Sequence, residues 1–349
     1  MFNITEFYTI FMMIKNRIAT KIYARNVFRW LGRIILPIFI FFLGMLAFGL
    51  VREAITRHKY RAQYPPPGEM IIINDDKIHL NCVGSGSPTV VFESDLDQYG
   101  SQSWNYVQKD ISKLTRACSY DRAGIMWSEP GPRPRNGEII AAELRAVLEK
   151  AGEKGPYLMV GHAFGGAYIR IFAGQNPDDV CGMVLVESSH PEMLTRMAEY
   201  GVVPEIPDKK IRPWILLLSH LGIPNRDHGE VYGSPPEIAD PLRAYLPKSS
   251  MAWFDEKVES HNTLAQAAQY ESLGDLPLIV LAASGAPTSV DQGQQLQDIW
   301  LELQHELLSL STDSEIRVYE TGHYPQLQSP ELVIEAIQDV FGKCKEFLQ

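Results

Sequence analysis

Cysteine, basic charge outside the N-terminal region and metal-type histidine spacing are all scarce in this sequence. Four cysteines in 349 residues cannot make a disulfide-dense mini-scaffold. The 26 glycines and 23 prolines form neither a collagen-like period nor a low-complexity tract, and 45% hydrophobic against 21% charged residues is not a disordered composition. His190, His220 and His305 lack ligand-like spacing, so neither a metal nor another cofactor is expected. Ten of the 32 basic and two of the 42 acidic residues fall within positions 1–61, which leaves 22 basic against 40 acidic and a net charge of −18 beyond them. A body this acidic excludes nucleic acid as a partner, because phosphate neutralisation needs a basic face.

What the first part does contain is a long hydrophobic run. Ile34 to Val51 reads IILPIFIFFLGMLAFGLV, with no charge. At 1.5 Å per residue it reaches roughly 27 Å, close to the thickness of a bilayer core. Pro37 and Gly44 would weaken a soluble helix and are tolerated in a membrane helix. A buried core helix is the alternative, but arginines on both flanks argue for an uncleaved signal-anchor. Six basic residues precede the run and four follow it. The positive-inside rule therefore places a basic segment, 1–33, in the cytoplasm and the body on the far, periplasmic or extracytoplasmic side. Residues 52–68 read as a linker that ends in Pro65-Pro66-Pro67-Gly68, and the folded domain should span 69–349.

Within that domain, short apolar β-branched runs alternate with helical patterns. The runs lie at 70–73, 77–83, 89–94, 116–121, 157–162, 182–188, 276–283 and 315–320, and the first two read as a hairpin. Helical patterns fall at 103–115, 136–152, 164–174, 292–311 and 330–348. The alternation predicts a mostly parallel eight-stranded sheet with helices on both faces. The interval from about 190 to 274 carries helical pieces between proline-rich turns and reads as an inserted cap, with Trp214, Trp253 and Phe254 expected in its core.

Gly161-His162-Ala163-Phe164-Gly165-Gly166 lies between an apolar strand and a helix, where small residues at 161 and 165 permit a sharp turn that lifts residue 163 above the sheet. With Val90–Leu96, Tyr120–Gly124, Val184–Pro191 and Gly322-His323, this motif makes residues 69 to 345 resemble the α/β-hydrolase superfamily, most closely its esterase- and aminopeptidase-like members. The resemblance implies an elbow nucleophile at 163, a base at His323 and an oxyanion hole formed by the N–H groups of Leu96 and Phe164. It implies hydrolysis of carboxylic esters or small amides.

Two departures fall on that chemistry. The position of the elbow serine is Ala163, whose methyl group can neither lose a proton nor attack a carbonyl. The usual glycine before the oxyanion residue is Asp95, a carboxylate next to the place where negative charge should develop. The acid has two candidates: Glu187, at the end of its strand, is favoured over Asp291, in the loop after the next strand. His162 should pack behind the elbow, and Asp121 with Arg122 should form an internal ion pair in a structural turn. Cys82 and Cys118 fall on strands that are neighbours in the resembled fold, and either a disulfide or two buried thiols fits them. Two functions remain open: a membrane-anchored ester or amide hydrolase using another nucleophile, or an inactive hydrolase fold that binds a small ligand or a partner, in either case held in the lipid bilayer through residues 34–51.

Overall fold

A computed structural model describes residues 4–202, 206–223, 236–284 and 293–347. The chain divides into two compact units, one ending at Ile55 and the other beginning at Thr56.

Helix α1 runs over Ile4–Gln63 with Pro37 inside it. Its segment Gly32–Gln63 has a mean hydropathy of 2.8 over its most apolar stretch and is long and apolar enough to cross a membrane. Apolar side chains such as Phe39, Phe41 and Phe42 point outward, as they would toward lipid. The helix continues well past the apolar run, so residues 52–63 are helical and the chain turns only at the prolines. Residues from 57 onward belong to the second unit and pack within it: the Arg57 guanidinium donates to Ser219 O, and Trp127 Nε1–H and the Tyr245 hydroxyl both donate to Tyr64 O.

Eight strands form one sheet: β1 (Glu69–Ile73), β2 (Asp76–Val83), β3 (Thr89–Glu93), β4 (Ala117–Tyr120), β5 (Tyr157–His162), β6 (Val180–Val186), β7 (Leu278–Ala283) and β8 (Ser314–Tyr319). Their order is β1-β2-β4-β3-β5-β6-β7-β8. β2 is antiparallel to both of its neighbours, and every pair from β4 to β8 is parallel. The central strands are buried on both faces because alternate residues enter different cores. Val91, Met159, Met183 and Leu185 pack with Ile140, Leu144 and Leu148 of α3 (Gly137–Ala151) and Phe172 of α4 (Phe164–Gln175). Val90, Phe92, Leu158, Val160 and Val184 pack with Ile111 of α2 (Asn105–Ile111) and with Val333, Ile337 and Val340 of α11 (Pro330–Phe347), the helix that follows α9 (Gly293–Glu306) and α10 (Pro325–Gln328).

Between β6 and β7 stand the cap helices α5 (Met193–Glu199), α6 (Arg212–His220), α7 (Pro236–Val258) and α8 (Ser260–Ala268). Phe254 is buried in the cap as expected, but Trp214 is 66% exposed and does not belong to its core. Both cysteine pairs form disulfides, Cys82–Cys118 across the β2–β4 pairing and Cys181–Cys344 between β6 and α11. The second bond was not anticipated, since 163 positions separate its ends.

Candidate active site

Ala163 sits between β5 and α4 at φ 48° and ψ −115°, a strained conformation that the surroundings must enforce. Only glycine fits at either side. A Cβ on Gly161 would lie 2.7 Å from the Gly165 backbone, and one on Gly165 would lie 2.5 Å from Glu93 O. The turn is tied to β6 and the chain after it: Ala163 N–H donates to Val186 O at 3.0 Å, and Ser189 N–H donates to Ala163 O at 2.9 Å. The elbow is therefore fully built, and it presents a methyl group.

The two N–H groups expected to form an oxyanion hole do converge, but on a side chain of the same chain. Asp95 Oδ1 accepts from Leu96 N–H at 2.6 Å and from Phe164 N–H at 3.0 Å. One oxygen of the Asp95 carboxylate thus sits between the two N–H groups. In the resembled acyl-transfer chemistry that position is where an oxygen would develop negative charge in the transition state. Two residues on, Asp97 is buried, and Asp97 Oδ2 has no hydrogen-bond partner among the described residues. Burial, with Asp95 nearby, holds the Asp97 carboxyl well above the usual carboxylate range.

Arg122 holds this loop in place. Its Nη1 donates to Ser94 O at 2.8 Å and to Glu93 Oε1 at 2.7 Å, and its Nη2 donates to Asp95 O at 2.6 Å and to Glu256 Oε2 at 2.9 Å. The expected pairing of Asp121 with Arg122 is thus corrected. Arg122 is satisfied by Glu93 and Glu256, while Asp121 accepts from His79 Nδ1–H at 2.9 Å and from Ser101 N–H at 2.7 Å. Adjacent residues at the end of a strand point to opposite faces, which sends the two side chains into different surroundings. Desolvation pushes Glu93 up to about 6 despite Arg122, and the Tyr120 hydroxyl also donates to it.

Glu187, just after β6, and His323, in the loop after β8, come together. His323 Nδ1–H donates to Glu187 Oε2 at 3.3 Å. Glu187 is 1% exposed; it takes further hydrogen bonds from Ala283 N–H and from Trp300 Nε1–H at 3.1 Å, and its backbone is at φ 49°. Asp291, the other candidate, lies outside the described residues. Burial disfavours the His323 cation, but the Glu187 hydrogen bond and the charges of Asp95 and Glu187 outweigh it, and its pKa lies above the ordinary histidine value.

His162 packs behind the elbow, and it also positions a neighbour. Its Nε2–H donates to His323 O at 2.7 Å, and its ring lies 5.0 Å from that of His323. Burial, with the His323 charge nearby, pushes His162 down to about 4, which keeps it neutral. Among the described residues, the grouping with metal-like spacing is Cys82, Cys118 and Glu153, whose two thiols are consumed by the disulfide.

A family model described as alpha/beta hydrolase family matches residues 85–336. The chain belongs to that family. This alpha/beta hydrolase chain is 29% identical over 267 residues to the uncharacterized protein YqjL of Bacillus subtilis, covering 75% of itself and 87% of that protein. It is 36% identical over 137 residues, 34% of itself, to an uncharacterized vacuolar membrane protein of Saccharomyces cerevisiae, of which it spans 21%. It spans 47% of an uncharacterized Schizosaccharomyces pombe relative to which it is 26% identical over 64% of its own length. Among solved structures, an esterase from Thermogutta terrifontis superposes with a TM-score of 0.56 at 16% identity, covering 79% of this chain and 98% of the esterase, a likeness of fold.

Of the residues singled out from the sequence, the structure brings the Leu96 and Phe164 N–H groups onto one oxygen and Glu187 beside His323, and it places Ala163 in the turn between β5 and α4. Sequence reasoning missed Asp97 and the bracing of the Asp95 loop by Arg122. The Asp95-Leu96-Asp97 triplet was the available signal, since two carboxylates so close together seldom both stay charged when buried.

Proposed function

We propose that this is a membrane-anchored hydrolase-family protein whose site engages a small ester or amide without forming an acyl-enzyme. The observation that carries the reading is the Asp95 carboxylate accepting both oxyanion-hole N–H groups. With Ala163 at the elbow, the site lacks the nucleophile, and Asp95 also fills the hole for the tetrahedral oxyanion. Residues 34–51 anchor the chain in the bilayer. The basic segment before them and the two disulfides support a body in an oxidising, extracytoplasmic compartment. The test uses the full chain in neutral detergent with p-nitrophenyl esters and a serine-directed fluorophosphonate. No labelling at the elbow and no turnover above background are expected. Labelling at the elbow or robust turnover would overturn the reading.

The Glu187–His323 pair favours a second reading, in which Asp95 is itself the nucleophile. With Oδ1 held by two N–H groups, the other Asp95 oxygen would attack a saturated electrophilic carbon, such as that of an alkyl halide, and halide would depart with the electron pair of the broken bond. Water deprotonated by His323 would then add to the carbonyl carbon of the resulting ester, whose carbonyl oxygen lies in the hole. The alcohol leaves, and the carboxylate returns carrying one oxygen from water. The overall change is alkyl halide plus water to alcohol, halide and a proton. Single turnover of 1-bromobutane in H2(18)O should label Asp95 if this route operates, and unlabelled Asp95 with no halide release excludes it.

A further inference from the structure

The second unit holds another cavity, formed by the end of α1, the loop between β4 and α3, and the cap helices α6 and α7. Its volume is about 350 Å³, within the range that accommodates a small organic ligand. Its walls carry Arg57 and Arg61 from α1, Arg133 and Arg135 from the loop, Arg212 from α6 and Lys248 from α7. This concentration of cations stands out because the chain beyond residue 61 carries a net charge of −18. Among the described residues, the one carboxylate in the lining is Asp255, which Arg212 already engages through Nε at 2.7 Å and Nη2 at 2.8 Å.

Arg135 is the second observation that points to a ligand. It is 2% exposed, its Nη1 is paired with Glu143, and its Nε and Nη2 have no hydrogen-bond partner among the described residues. A buried guanidinium with two idle donors is costly unless an acceptor reaches it. Burial pulls the Lys248 ammonium down to about 8, with Arg61 and Arg57 adding to the effect and Asp121 and Glu129 opposing it. A bound anion would relieve both conditions.

We propose that this cavity binds a phosphate group, presented as a phosphomonoester or phosphodiester by an anionic lipid headgroup or by a soluble phosphorylated molecule. The planar guanidinium fork matches phosphate oxygens in pairs, and a multiply charged oxyanion suits a wall with more cations than a single carboxylate would need. Arg57 and Arg61 are spaced i, i+4 and so share a helix face. In the sequence they follow Val51, the last residue of the apolar run, by six and ten positions, a rise of roughly 9 and 15 Å along a helix, which is within reach of a lipid headgroup.

The full chain in neutral detergent would be titrated calorimetrically with dioctanoyl phosphatidic acid, dioctanoyl phosphatidylcholine and glycerol 1-phosphate. Saturable binding of phosphatidic acid well above that of glycerol 1-phosphate supports the site with a lipid ligand, and equal binding of the two supports it with a soluble phosphate ester. Arg133 is exposed, so Arg133→Glu should weaken binding by about tenfold or more without moving the unfolding temperature of the free protein. Arg61→Glu, also at an exposed position, provides an independent check. The proposal fails if neither phosphate probe saturates at a few millimolar. It also fails if phosphatidylcholine binds as well as phosphatidic acid, or if both charge reversals leave the affinity unchanged.

Discussion

Asp95 and Phe164 are 69 positions apart, and Asp95 Oδ1 accepts the Phe164 N–H at 3.0 Å. The first N–H of α4 is thereby turned from a donor awaiting a substrate into one satisfied by the protein itself. Restoring only the nucleophile should therefore fail. Ala163→Ser is expected to remain close to background on p-nitrophenyl esters, whereas Ala163→Ser with Asp95→Gly should exceed it by about 10²–10³-fold, the usual worth of an oxyanion-hole donor. Equal activity of the single and double variants would show that Asp95 leaves the hole at no cost.

The pKa values of the two neighbouring histidines should be shifted in opposite directions. Imidazole resonances followed by NMR against pH should put His323 above 6.5 and His162 at about 4. Asp95→Asn should lower the His323 midpoint, because it removes one of the charges that favour the cation. The signs carry over to stability. The His323 contribution is complete below its unfolded value near 6.5 and is lost as pH rises through its higher folded value. For His162 the unfolded chain takes up a proton that the native state refuses. Stability therefore falls as pH drops from 6.5 to about 4, by about 3 kcal/mol over the window.

Arg122→Leu should be among the most damaging single changes. It would leave Glu93 and Glu256 buried without their cation and would free the Ser94 and Asp95 carbonyls. Breaking a buried ion pair from one side costs about 3–5 kcal/mol, measurable as a large drop in the thermal unfolding midpoint. A shift within about 0.5 kcal/mol of zero would remove Arg122 from the role of holding the loop.

Reduction should weaken the second unit. The Cys82–Cys118 bond closes a separation of 36 residues, and losing a bond of this kind costs about 2–4 kcal/mol. Cys82→Ala with Cys118→Ala should reproduce that loss without reductant. Denaturant titration of the full chain with and without dithiothreitol reads the effect directly.

A side-chain methyl at Gly165 should be intolerable although the position lies in a helix, where alanine is ordinarily preferred. Its Cβ would stand 2.5 Å from Glu93 O and 2.7 Å from Ser94 O, so the elbow and the Asp95 loop would have to separate. Gly165→Ala should therefore lower the unfolding midpoint, whereas Gly342→Ala, where a Cβ meets nothing within 4 Å, should not.

Local pattern alone determined much of this protein. A charge-free run of apolar residues is legible as a membrane-length helix because every backbone polar group in it is satisfied within the segment. Doubly apolar runs alternating with helical periods specify a covered parallel sheet, and the Gly161–Gly166 motif specifies the turn at Ala163 through steric room that only small residues leave. The meeting of Glu187 with His323 was within reach because both follow the carboxyl ends of parallel strands, β6 and β8. What tertiary structure decided were contacts whose partners are distant in the chain and whose chemistry is not periodic. Nothing in the neighbourhood of Asp95 says that its carboxylate will turn back onto two backbone donors, one of which arrives from the far end of β5. Arg122 meets Glu256 across 134 positions, and Cys181 meets Cys344 across 163. The six cations of the second cavity come from four separate stretches of chain, and they gather into one wall only when the cap closes over the sheet. Short-range order follows from sterics and hydrophobic period, whereas the electrostatics of a site depend on which side chains the completed fold brings out of water together.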